Sequence, residues 1–230
     1  VTILLGTLAL LASLAWLAGI AWFLWFFRPP AVAVQGRVTL LLAVTGRTDG
    51  LPPLFAALAR QTLQPRRLLV AVESREDPAF AQVGGLAPSL PFPVEVVLAG
   101  VDGTRSQKAT NMIAALARVD ARDDALVLLD ADILPQEHWL SWLATPALNG
   151  AADVVTGYRW HALDGAGPGR HLVAWLDRAL ALGPRALAAG LVWGGSVAIA
   201  REALARMDLP ATLERTFSTD GAISRRARAR

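Results

Sequence analysis

Ala125 to Ile133 reads A-L-V-L-L-D-A-D-I. Leu126 to Leu129 form a short apolar run, bracketed by Asp123-Asp124 before it and Asp130 after it. Such a run is short for a helix and predicts a strand buried on both faces of a parallel sheet. It ends on two carboxylates, Asp130 and Asp132, with only Ala131 between them. In open α/β sheets ligands gather beyond the carboxyl ends of the strands. Two aspartates delivered there are hard oxygen ligands suited to Mg²⁺ or Mn²⁺, above all when the ion also grips a substrate diphosphate. The plainer alternative is that both aspartates cap the following turn, which contains Pro135. This stretch alone leaves the two readings level.

Upstream, Val38 to Val44 reads as a first strand, Gly46 to Gly50 as a loop, and Leu51 to Leu63 as a helix. Leu68 to Val72 is a second buried strand, running into Glu73-Ser74-Arg75-Glu76-Asp77-Pro78, and Val94 to Leu98 is a third. Strand and helix alternating at this spacing predict right-handed βαβ units and an α/β fold. No G-x-G-x-x-G follows the first strand, so a dinucleotide reading lacks its phosphate loop. Gly165 to Gly169 is glycine-rich but has no buried strand before it, and reads as a plain loop.

The chain has 230 residues, a net charge of +3, three histidines and no cysteine. Disulfides and thiolate metal sites are excluded, and a zinc hydrolase is disfavoured. The arginines near the end lack the interleaved aromatics of a nucleic-acid surface, so no nucleic-acid partner is expected. The apolar content of 54% owes much to Val1–Phe27, which carries no charge. As a helix it spans roughly 40 Å, enough for a bilayer core of about 30 Å. Its end is loaded with Trp22, Trp25, Phe26 and Phe27 and closed by Arg28-Pro29-Pro30. Ala31-Val32-Ala33 imitates a signal-peptide cleavage site, but the apolar run is too long for that reading. The expected layout is a transmembrane anchor at 1–28, a linker at 29–37 and a catalytic domain at 38–230. Arg28 and Arg37 after the anchor place that domain in the cytoplasm, at the inner (plasma) membrane. The start at Val1 and the basic end read as a piece of a longer protein.

Between the third strand and the paired aspartates lies Gly103 to Asn111, followed by a helical pattern of Met112, Ala115, Leu116 and Val119. Lys108 and Asn111 in its first turn either face an anionic substrate or form a solvated turn. Pro135 to Leu143 reads as a helix packed on the sheet. His161, beside Trp160, either lines an acceptor site or packs at an interface. Leu172 to Leu182 and Ala186 to Val192 read as core, with a membrane-facing acceptor entrance as the alternative.

E-S-R-E-D-P-A after a strand, Q-K-A-T-N and L-L-D-A-D-I, in that order, resemble family 2 glycosyltransferases of the GT-A fold. The resemblance is strongest to the ceramide-glucosyltransferase-like, hopanoid-type (family 21-like) branch. It runs from about Val38 to the end, through Asp153-Val154-Val155-Thr156-Gly157 as a strand beside the site, Trp193-Gly194-Gly195-Ser196 through Arg201, and Ser218-Thr219-Asp220-Gly221. It implies a Rossmann-like, mainly parallel sheet flanked by helices. It also implies that Asp130 and Asp132 hold Mn²⁺ or Mg²⁺ on the diphosphate of a nucleotide sugar, a UDP-sugar in that branch. Glu73 or Asp77 would lie near the nucleobase or ribose, and Lys108, with Asn111 beside it, would contact the donor. Trp193, Gly194 and Gly195 would stand on the acceptor side, and Asp220 would be the general base. Two departures stand out. Ser74 occupies a position where that branch shows aspartate, and no Q-x-x-R-W segment occurs before Arg230.

The implied reaction is a membrane-bound, inverting, metal-dependent transfer of a hexose to a lipid hydroxyl. Displacing a nucleoside diphosphate builds negative charge on the leaving phosphate, where a metal neutralises it, while a carboxylate opposite activates the incoming hydroxyl. Asp220 has a second reading as the N-cap of a helix over 222–230. A processive polysaccharide synthase of the same fold, or a nucleotide-sugar-binding module without turnover, are the alternatives.

Overall fold

The computed structural model describes residues 2–26, 34–161, 163, 165, 167–186 and 191–228, and the chain divides into two compact units, Val1–Ala31 and Val32–Arg230. In the first unit Thr2–Phe26 form one helix, α1, without a charged residue. Its leucines and tryptophans are exposed all round: Leu8, Leu11, Leu14, Trp16 and Leu17 each keep more than half of their surface. Among the described residues no helix is long and apolar enough to cross a membrane, so the expected span is not established. The expected anchor end at 27–28, linker residues 29–33 and apolar residues 187–190 lie outside the described residues.

In the second unit the four apolar runs become parallel strands: Val38–Ala43 (β1), Arg67–Val72 (β2), Val94–Leu98 (β3) and Ala125–Leu129 (β4). β1 and β4 lie at the centre. Leu40, Leu41, Leu42, Leu126, Val127 and Leu128 are almost wholly buried, as strands covered on both faces must be. Helices Leu51–Ala59 (α2) and Pro78–Leu86 (α3) connect β1 to β2 and β2 to β3, and Gln107–Leu116 (α4) brings the chain back to β4. Right-handed crossovers put α4 on the sheet face opposite α2 and α3. The order of strands reverses between β1 and β4, and an open sheet offers its ligand crevice beyond such a switch point.

Past β4 the chain forms Trp139–Leu148 (α5), Val154–Thr156 (β5), Pro168–Ala186 (α6), Ser196–Ala200 (β6), Arg201–Met207 (α7), Leu209–Leu213 (α8) and Thr219–Arg228 (α9). β6 inserts antiparallel beside β4, and β5 pairs antiparallel with β6, giving the order β3-β2-β1-β4-β6-β5. The sheet is therefore mixed: β6 alone runs against the others, and β5 at the edge again points the same way as β1 to β4.

Several sequence expectations are corrected here. α2 ends at Ala59 instead of Leu63, because the chain turns to meet the loop before α5: Thr62 N donates to the Glu137 carbonyl at 2.9 Å. Gln61 clasps the same loop, donating to the Gln136 carbonyl and accepting from Leu140 N, and α5 begins at Trp139, not Pro135. Pro168, read as loop, opens α6, where a proline without an N–H suits a first turn. The core reading of 172–182 fails: only Ala174 of Leu172–Leu176 is buried. The helix over 222–230 begins at Thr219.

At the amino ends of the strands, away from the switch-point crevice, charge pairs close the sheet. Arg66 reaches Asp123 at 2.7 Å and Asp120 at 3.0 Å, and Arg37 reaches Asp124 at 3.1 Å. Hydrogen bonds from the Arg122 side chain and backbone, with Arg66 beside them, hold the Asp120 carboxyl well below the usual carboxylate range. Hydrogen bonding by Arg37 likewise lowers Asp124.

Candidate active site

β4 stops at Leu129 and hands Asp130 to the carboxyl edge of the sheet, where its N–H donates to the Gly195 carbonyl at 3.3 Å. The Asp130 carboxylate takes the Lys108 ammonium at 2.6 Å. Lys108 sits in the first turn of α4, which Ser106 caps by accepting from Ala109 N, so the helix N-terminus and a cation arrive together. Asp132 is exposed and, among the described residues, has no hydrogen-bond or ion-pair partner. Gly50, which precedes α2, lies so close to the Ala131 carbonyl that a Cβ would collide with it. The turn carrying the two aspartates is thus packed against the start of α2.

Asp220 approaches from the other side. Its N-cap reading is corrected: Ser218 caps α9, accepting from Gly221 N at 3.2 Å, and Asp220 lies in the first turn. One Asp220 oxygen accepts from Gly194 N at 2.9 Å and the other from the Thr219 hydroxyl at 3.1 Å. A Cβ on Gly194 would run into this carboxylate, which is why glycine stands there. Ser224 also ties Val192 to α9. Lys108, Asp130, Gly194 and Asp220 together line a narrow cavity of about 10 Å³, room for one water.

Beside it, sharing Asp130, opens a cleft of about 890 Å³ whose walls include Asp132, Trp139, Trp193, Ser196 and His161. The Trp139 indole donates to Ser196 Oγ at 2.6 Å, and Trp193 N donates to Thr156 Oγ1 at 3.0 Å. His161 Nε2 lies 3.0 Å from the Asp177 carboxylate of α6. Burial pushes Asp177 up, but the Tyr158 hydroxyl and the charges of Arg159 and His161 bring it below its ordinary value. Of these two spaces the cleft is the one with room for a ligand of diphosphate size, and Asp130 and Asp132 stand on its wall.

Of the residues expected from sequence, the fold brings together Asp130, Asp132, Lys108, Asp220, Trp193, Gly194, Gly195 and His161. It does not bring the remaining three. Asn111 is fully buried, donating to the Val44 and Ala71 carbonyls and accepting from Gln107, so it braces the ends of β1 and β2 rather than facing a donor. Asp77 is the N-cap of α3, accepting from Ala79 N at 2.8 Å and Gly46 N at 2.9 Å; its other oxygen is buried without a partner. Glu73 is half-buried at the end of β2, and neither it nor Asp77 lines the cavity or the cleft. Asp177 had no legible signal, and Thr156 and Ser196, though they lie in segments that carry the resemblance, had no individual role legible, because each acts through a partner distant in the chain.

Among the described residues no three His, Cys, Asp or Glu side chains cluster as a complete metal cage. The donor set still fits a hard divalent cation shared with a ligand. Asp132 is a carboxylate at the cleft wall without a partner among the described residues, and Asp130 stands beside it. Diphosphate oxygens and water would complete the shell.

Solved structures share this fold. A mannosyltransferase from Pyrobaculum calidifontis, in complex with GDP-Man and Mn²⁺, matches 90% of this chain and 57% of its own at 19% identity, with a TM-score of 0.56. Glucosyl-3-phosphoglycerate synthase from Mycobacterium tuberculosis, in complex with Mn²⁺, UDP-glucose and phosphoglyceric acid, matches 78% of this chain and 65% of its own at 18% identity, with a TM-score of 0.51. The chain thus spans less than two thirds of either relative. No curated protein matches the sequence. The family model for glycosyl transferase family 21 matches residues 5–208, a range that takes in Lys108, both paired aspartates and the Trp193-Gly194-Gly195 turn but stops before Asp220. Most of the chain is covered by that match, and the chain belongs to glycosyl transferase family 21.

Proposed function

We propose that this chain carries the catalytic domain of a membrane-anchored inverting glycosyltransferase that moves a hexose from a nucleotide-diphosphate sugar, of the UDP type, to a lipid hydroxyl. The observation that carries the reading is the meeting of Lys108 and Asp130 with Asp220 around one cavity that shares Asp130 with the open cleft. Lys108, paired with Asp130 at the border of the cleft, and the N-terminus of α4 supply positive charge for the donor's diphosphate. Asp130 and Asp132 would hold Mn²⁺ or Mg²⁺, which when bound neutralises charge on the diphosphate. Trp193 and the Gly194-Gly195 turn stand on the acceptor side, and His161, oriented by Asp177, contacts the acceptor in the cleft. Asp220 takes the acceptor's hydroxyl proton as the oxygen bonds to the anomeric carbon. The bond from that carbon to the diphosphate oxygen breaks, and the nucleoside diphosphate leaves. Attack opposite the leaving group inverts the anomeric centre. Gly194 N–H and Thr219 orient the Asp220 carboxylate, which keeps further lone pairs for the incoming proton. Glu73 or Asp77, outside the two spaces lined above, would lie toward the nucleoside end of the donor in this reading.

We assign 1–28 as the anchor and 38–230 as the catalytic domain. The support is α1 itself, an uncharged helix of 25 residues with apolar side chains on every side, a pattern that water does not favour. Arg37 is neutralised by Asp124, so the inward-facing bias that puts the domain in the cytoplasm, at the inner (plasma) membrane, rests on Arg28. Protease added outside intact cells should leave the domain whole; digestion there would reverse the orientation. A nucleotide-sugar-binding module without turnover is the second reading, favoured by the engagement of both Asp220 oxygens. Calorimetry of UDP binding with Mn²⁺ and with EDTA, paired with an assay for sugar transfer, separates them. Metal-dependent binding with transfer supports the enzyme, binding alone supports the module, and equal affinity under EDTA removes the metal role.

A further inference from the structure

Helix α6 is amphipathic in the inverted sense. Ala174 is buried, and Asp177 and Arg178 are half-buried, so this stripe faces the rest of its unit. The Tyr158 hydroxyl donates to the Asp177 carbonyl at 2.8 Å, His161 meets the Asp177 carboxylate, and the Arg178 guanidinium lies over the Trp160 ring at 4.4 Å. The opposite side carries Leu172, Val173, Trp175 and Leu176, exposed by 58, 65, 64 and 48%. A surface helix ordinarily buries its apolar stripe and wets its polar one. Here four large apolar side chains stand in water. The apolar surface also continues to the mouth of the cleft, where Trp160, Trp142 and Leu134 are exposed and form part of its lining.

We propose that the outer face of α6, with the Trp160 rim, lies in the headgroup–acyl boundary of a lipid bilayer, so that the cleft opens directly onto the membrane surface. Three observations select a bilayer over a protein. Tryptophans flank the leucines, and their amphipathic rings favour the headgroup level. Exposed Arg170 and His171 border the face at the start of α6, while Asp177, the sole carboxylate of α6, is turned inward to His161 and Arg159, a charge pattern complementary to anionic lipid. The same chain also carries α1, proposed above as a membrane segment. The docking stands by itself, whereas delivery of a lipid acceptor through the cleft rests on the glycosyltransferase reading.

The absence of cysteine makes single-site labelling clean. The full chain carrying L176C, or A121C as the control at the amino ends of the strands, is labelled with an environment-sensitive fluorophore. Each is reconstituted in phosphatidylcholine vesicles with and without phosphatidylglycerol. The expected result is a blue shift at 176, with quenching by lipids bearing a shallow acyl-chain nitroxide and more of it with phosphatidylglycerol, and neither effect at 121. Adding L172E to L176C should abolish the quenching. Equal quenching at both sites, or none at 176, overturns the docking. So does a blue shift at 176 that grows with protein concentration without lipid quenching, since a second copy or another protein then covers the face. UDP binding with Mn²⁺ and sugar transfer are measured on the same samples. Lipid-specific quenching without transfer keeps the docking and removes the glycosyltransferase reading, and transfer without quenching does the reverse.

Discussion

The two sides of the cleft are built on opposite principles. On the side of the paired aspartates every charged group is placed by main chain: Asp130 by the end of β4, Lys108 by the first turn of α4, Asp220 by the Gly194 N–H. On the α6 side one half-buried polar stripe joins the helix to the loop after β5, and large apolar side chains are left outside. The first design suits a ligand that is small, charged and fixed in orientation. The second suits an apolar partner that only has to be adjacent.

The comparison can be broken at its rigid side first. Asp220→Asn retains an oxygen for Gly194 N–H, and its amide can donate to Thr219, so folding and UDP binding should survive. Loss of the proton acceptor should lower kcat by about 10²–10⁴-fold. Near-normal kcat in a transfer assay would leave Asp220 a pin for the glycine turn and nothing more. Asp130→Asn removes a charge-assisted contact worth about 1.5–3 kcal/mol. UDP affinity with Mn²⁺ should fall roughly 10–100-fold and its sensitivity to EDTA should shrink, as calorimetry would report. Gly194→Ala drives a methyl into the Asp220 carboxylate, and overpacking of this kind costs about 1–3 kcal/mol. Thermal unfolding should show that cost, with UDP affinity nearly intact.

Smaller effects sharpen the contrast. Asp120 and Asp124 sit below their ordinary pKa, so their pairing stabilises the fold above about pH 4, the unfolded value, and is lost as pH falls through the lowered one. Acid unfolding should therefore soften when both are replaced by asparagine; an unchanged acid profile would show the pairs to be solvated and inert. Leu172→Ser on α6 should alter stability in detergent by no more than about 0.5 kcal/mol, since that side chain covers nothing. A large loss of Tm would mean that the helix is packed in a way its exposure does not show.

The carboxyl edge was legible in the chain because its signals are local. A run of buried residues four or five long, ended by a carboxylate, fixes both a strand and the direction in which that carboxylate points; β1, β2, β3 and β4 fall within a residue of their expected bounds. The order of these motifs carried the family as well, before any contact was known. What local pattern could not carry is who meets whom. Nothing in S-V-A-I-A says that it enters antiparallel beside β4, because that choice depends on the length and path of some sixty residues between them. Asn111 and Lys108 lie within one turn of each other, yet one is sealed between two strand ends and the other reaches Asp130. Asp220 is a plausible cap by residue type, and only the arrival of the Gly194 turn makes it a wall of the cavity. The apolar content of 172–182 was present in the sequence, but composition does not say which way a stretch faces. Which face turns inward is decided by the partners on offer, and here Tyr158, His161 and Trp160 claim the polar one.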